Sequence, residues 1–153
     1  MGVRFLLLVA LLLVALTAAM AVSHVIRWPL RPEVSALPIV RLQNAVRRFG
    51  LLLGVIEVAA LIALVVVLFR VQPGTMTMWL VAAAALCLAV MMGVWAAWLR
   101  PLNATIAAWL PETLPKDWSR HHRRWATLHS TRAILAIIAL ALLLMGLMAR
   151  PAQ

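Results

Sequence analysis

Apolar residues fill four long stretches of this chain, 5–26, 50–69, 78–99 and 131–148, and nearly all charge and proline falls between them. Each stretch approaches the roughly 20 residues that a helix needs to cross the hydrocarbon core of a bilayer. The pattern predicts an all-α, integral membrane four-helix up-and-down bundle, with residues 1–153 as a single domain. Residues 27–49 and 100–130 are then the two long loops, and Pro73-Gly74 makes the short turn between the second and third helices.

The first stretch follows a single Arg4 and contains Ala19-Met20-Ala21, a small-x-small pattern that also suits a cleaved leader. The run is long enough to span and stays apolar to Val25 and Ile26, so a retained helix is expected. Trp28-Pro29 and Arg31-Pro32 end it, and Pro38 can open a short surface helix toward Arg47 and Arg48. The second stretch begins Gly50-Leu-Leu-Leu-Gly54, a spacing that lets two helices approach closely. Trp79 marks one interface of the third stretch, and Trp95 and Trp98 the other. After Leu110-Pro111 and Leu114-Pro115, Asp117 is placed to cap a new helix with its carboxylate. Trp118, His122, Trp125, His129 and Arg132 then recur at steps of four and three, on one face of a helix that continues into the fourth span.

Composition sharpens this picture. Hydrophobic residues make up 66% of the chain, too many for a soluble domain of this length. Net charge is +10, from 14 Lys and Arg against 4 Asp and Glu. The basic residues lie between apolar runs and no recognition motif accompanies them, so anionic lipid head groups are expected as partners and nucleic acid is not. The long loops carry Arg27, Arg31, Arg41, Arg47, Arg48, Arg100, Lys116, Arg120, Arg123 and Arg124, whereas the outer segments carry Arg4, Arg70 and Arg150. The positive-inside rule therefore places both long loops in the cytoplasm and both termini outside it, across the cell's inner (plasma) membrane. Cys87 is the one cysteine, which excludes an intrachain disulfide and a cysteine-based zinc site, and it reads as a small apolar side chain.

This topology gathers the polar residues at one depth. Glu57 lies about two helical turns, roughly 10 Å, into the second helix from its cytoplasmic end. His24 ends the first helix, Asn103 follows the third, and His129 and Arg132 lead into the fourth. A carboxylate in hydrocarbon requires a partner, and Arg132 is the natural one. Such a pair serves either a tuned base or a structural tie between helices. His129 is a proton-transfer candidate, with a metal or haem ligand or a plain interfacial residue as alternatives. His24 with His129 is the one pair that could hold a haem axially, but no cofactor is the leading expectation. No metal-ligand spacing is present. Trp98, Trp109 and Trp125 can stack an aromatic substrate, alongside their ordinary place in an interfacial belt.

Pro101-Leu102-Asn103, then Trp118, then Trp125-xxx-His129-xx-Arg132 opening an apolar helix, resembles the small four-span membrane family that includes the anthrone oxygenases. The resemblance implies cofactor-independent oxygenation of a lipophilic aromatic substrate. Carried over, Asn103, Trp125, His129 and Arg132 form the site, with His129 removing a proton and Arg132 stabilising an enolate-like anion. With Glu57 the expected catalytic set is Glu57, Asn103, His129 and Arg132, and the expected substrate contacts are His24, Trp98, Trp109 and Trp125. A non-catalytic membrane subunit or scaffold, open to homo-oligomerisation through the Gly50 and Gly54 face, is the competing reading. A haem-binding electron-transfer subunit comes after it.

Overall fold

A computed structural model describes residues 2–27, 50–109 and 114–149, and all regular structure among them is helical. Helix α1 spans Val3–Arg27, α2 Gly50–Leu68, α3 Met76–Ala107 and α4 Trp118–Met148. Helices α1, α3 and α4 are long and apolar enough to cross a membrane, and the apolar part of α2, Leu53–Leu68, is shorter. Leu12, Ile62, Leu86 and Ile134 are all more than half exposed on outward faces. In a membrane protein that surface meets lipid tails, so its exposure carries no penalty. The segment 28–49, with its expected surface helix, lies outside the described residues.

The helices pack in a ring, α1 against α2 and α4, and α3 against α2 and α4. Inward stripes recur at helical spacing. On α1 they are Leu7, Ala10, Val14 and Ala18, and on α4 Ala133, Ala136, Ala139 and Leu143. The small residues of α4 let it approach both neighbours, which is how helices associate where lipid removes the hydrophobic drive. The connection from α2 to α3 turns at Gly74, whose φ of 78° favours glycine. Thr75 then caps α3 by accepting from the Met78 amide.

Two expectations about packing shift. A Cβ added at Gly54 would meet nothing within 4 Å, so Gly54 makes no close helix approach among the described residues. The close approach occurs instead at Gly146, where an added Cβ would sit 3.6 Å from Leu80 Cβ. There the buried Thr77 hydroxyl donates to the Gly146 carbonyl at 3.3 Å. A methyl fits at this contact and a branched side chain does not. Gly146→Ala is expected to be tolerated, and Gly146→Leu to lower the detergent-solubilised melting temperature by several degrees through overpacking.

The third helix also runs past its expected end at Leu99. Its α-helical part, Met76–Val94, passes into a π turn at Trp95–Leu99 and resumes as α-helix over Arg100–Ala107. In the π turn the Arg100 amide reaches back to the Trp95 carbonyl. The wider turn comes just before Pro101, which has no N–H to donate and whose ring would crowd a regular helix. The long loop expected at 100–130 is therefore mostly helical, and only the segment between Ala107 and Trp118 separates α3 from α4.

Candidate functional site

The inward stripe of α4 changes character at its N-terminal end. Below Ala133 its buried positions are Arg132, His129, Ala126 and Trp125, all but Ala126 polar or aromatic where the rest of the stripe is small or aliphatic. The same face carries the ladder read from the sequence. Trp118 and His122 have ring centroids 6.3 Å apart. His122 stacks on Trp125 at 6.4 Å, and Trp125 packs on His129 at 4.1 Å. Steps of four and three along one helix produce this column because 3.6 residues complete a turn.

All four helices contribute to the layer that surrounds it. From α2, Glu57 forms an ion pair with the Arg132 guanidinium through Nη2. The pair crosses the interior of the ring between diagonally opposite helices. From α3, Asn103 Oδ1 accepts the Trp125 indole N–H at 2.9 Å. Asn103 thus acts from within a helix rather than from a loop, because the π turn lets the helix continue beyond Pro101. From α1, the His24 ring lies 4.7 Å from His129 and edge-on to Trp125 at 6.3 Å. The imidazoles of His24 and His129 touch directly, closer than a porphyrin plane between them would allow.

Beneath Trp125 sits a second apolar cluster of Leu99, Leu102, Ile106 and Ala126, with Trp109, Trp118 and Leu128 packed against it. Trp109 also meets His121 edge-on at 5.5 Å. Trp98 is not part of this arrangement. It is 48% exposed on an outward face beside Trp95, in keeping with an interfacial belt. Asp117 stands at the N-cap position of α4, but its side chain makes no capping bond. The carboxylate turns to His121 instead, Oδ2 to Nδ1 at 3.5 Å.

Two atoms in this layer stand out. His129 and Arg132 are each 94% buried by their 6% exposure, yet His129 Nδ1 and Arg132 Nε have no hydrogen-bond partner among the described residues. Buried polar atoms are nearly always paired, because an unmade bond costs on the order of 1–3 kcal/mol. A side chain three residues from its neighbour on a helix shares its face. The two open nitrogens therefore belong to adjacent positions of one inward surface, with Trp125 as its aromatic wall. No group of three or more metal-ligating side chains forms among the described residues.

The sequence model of the anthrone oxygenase family matches residues 42–142. The chain belongs to the anthrone oxygenase family. The matched segment takes in Glu57, Asn103, Trp125, His129 and Arg132, and stops short of His24 and α1. With its long apolar helices, this anthrone-oxygenase-family chain is an integral membrane protein. No curated protein and no solved structure matches the chain.

The Asn103 bond predicts its own test. Asn103→Ala removes one hydrogen bond from a buried indole, about 0.5–1.5 kcal/mol. The freed ring is expected to change its tryptophan fluorescence while the fold persists. Asn103→Asp, which keeps an acceptor oxygen at the same place, is expected to restore the wild-type emission.

Proposed function

We propose that this protein oxygenates a lipophilic aromatic substrate of the anthrone type inside the membrane, without a cofactor. The observation that carries the reading is the pair of buried nitrogens on His129 and Arg132 that have no hydrogen-bond partner among the described residues. A purely structural layer would use those atoms to tie helices together, as Nη2 of Arg132 is used toward Glu57. Atoms left open at such depth are best explained by a polar group that arrives with the substrate.

The residues divide the work as follows. Trp125, held by Asn103, offers an aromatic face for the substrate plane. His129 removes a proton from the activated C–H, and the electron pair passes to the carbonyl oxygen as an enolate. The Nε–H of Arg132 donates to that oxygen. Glu57 is a positioning residue: its carboxylate neutralises Arg132 and engages Nη2, while the Nε–H, which makes no bond among the described residues, is left for substrate. The resting layer is then neutral, and proton transfer creates an imidazolium together with the anion. No uncompensated charge appears in hydrocarbon at any stage.

The enolate carbon gives its electrons to O₂, forming a peroxide that regains a proton from the imidazolium. Loss of the second C–H proton, with cleavage of the O–O bond, yields the ketone carbonyl and water. The balance is R₂CH₂ plus O₂ giving R₂C=O plus H₂O, so the substrate supplies all four electrons taken up by O₂. The basic segments, among them Arg120, Arg123 and Arg124 on the exposed face of α4, are proposed to meet anionic head groups on the cytoplasmic side of the cell membrane. Both termini then lie outside. The expected result for purified protein in lipid nanodiscs is O₂ uptake on addition of an anthrone, at a rate above the protein-free reaction. Uptake equal to that background would count against the reading.

A further inference from the structure

We propose that His24 and His129 work as a two-imidazole proton carrier, neutral at rest, that takes up the one proton leaving the substrate and holds it mainly on His24. The proposal rests on the reading of His129 as the base, and it adds a residue of α1 that the family match does not include.

The geometry supports it from several sides. The two ring centroids are 4.7 Å apart with planes tilted by 42°. Imidazole nitrogens lie on the ring's rim, so a small rotation brings a nitrogen of one ring within hydrogen-bond range of the other. Trp125 packs against both rings, at 4.1 Å and 6.3 Å, which keeps them together. The two sites differ in environment. His129 is buried. His24 is half-buried, less than one turn from the end of α1 at Arg27.

Charge decides where the proton stays. The charge that bears on His129 is that of Arg132, three residues on along α4 and itself paired with Glu57 of α2, and α3 meets the neighbouring Trp125 through the neutral Asn103. A proton left on His129 would put a second cation one turn from the Arg132 guanidinium, in a low-dielectric layer. On His24 it sits one helix away, nearer the end of the bundle. In the reaction, the substrate C–H proton passes to one nitrogen of His129, and the proton on its other nitrogen passes to His24. The same path in reverse protonates the peroxide. The second C–H proton follows the first, and its return to the departing hydroxide gives water. No proton has to leave the site.

Nitrogen-15 NMR of histidine-labelled protein in nanodiscs tests the pairing directly. Wild type, His24→Gln and His129→Gln are titrated, and the two variants assign the signals. The expected result is that the two residues take up one proton jointly, with His24 carrying most of it, and that removing either one alters the titration of the other. Independent titration of the two rings would overturn the proposal. O₂ uptake separates this outcome from failure of the function beneath it. His24→Gln is expected to lower kcat by about 100-fold with KM unchanged, and added imidazole to restore part of the activity in His24→Ala. Undiminished kcat in both variants would overturn the role in turnover. Joint titration in a wild type that consumes no O₂ would uphold the shared proton and overturn the oxygenase reading.

Discussion

Arg132→Met is expected to destabilise the folded protein by about 3–5 kcal/mol and to abolish O₂ uptake. Arg132 is 6% exposed, and its guanidinium is paired with a Glu57 carboxylate that reaches it from the opposite helix. Removing the cation leaves that carboxylate unpaired inside the bundle, which is the expensive half of breaking a buried ion pair. Glu57→Gln leaves a buried cation and is expected to cost less, since an amide oxygen can still accept from Nη2. The double variant Glu57→Gln, Arg132→Met removes both charges. Its stability is expected to return most of the way to wild type while activity stays absent. Detergent or thermal unfolding of the four proteins gives the coupling energy, and O₂ uptake gives the function. Equal loss of stability in the double variant and in Arg132→Met alone would show that charge compensation is not what the pair provides.

His129→Phe is expected to separate function from fold in the opposite way. Its Nδ1 makes no hydrogen bond among the described residues, and the ring's contacts are with Trp125 and His24. A phenyl ring keeps those contacts, so the melting temperature should change little. A positioned proton-transfer group contributes about 10²–10⁴ in rate, and kcat is expected to fall within that range with KM nearly constant. A fall in KM-dependent rate alone, with kcat preserved, would make His129 a binding residue.

Much of this arrangement was legible in the chain. Glu57 announces itself, since a carboxylate within an apolar run needs a partner, and Arg132 is the cation that topology brings to its depth. The steps from Trp118 to Arg132 reveal the ladder because helical period is a local property. Four features were not legible, each for a physical reason. Pro101 reads as a helix end, whereas the π turn before it absorbs the missing N–H. The signal that the helix goes on is the spacing of Leu99, Leu102 and Ile106, which keeps helical period across the proline. Asn103 therefore appeared as a loop residue, and its bond to the Trp125 indole depends on two helices meeting, which no local pattern encodes. The Gly50-Gly54 spacing permits a close contact, yet among the described residues the close approach falls at Gly146 and not at Gly54, because a glycine permits an approach without requiring one. Asp117 has the residue type of a cap, but His121 one turn on takes its carboxylate.

Isotope incorporation reaches the central claim most directly. The purified protein in nanodiscs is given an anthrone under ¹⁸O₂, with protein-free nanodiscs and His129→Phe alongside. The account predicts one ¹⁸O in the new carbonyl of the product, the other in water, at a rate that exceeds the protein-free reaction and collapses in the variant. Product formed at the same rate in all three samples, or labelled from H₂¹⁸O instead of O₂, would contradict it.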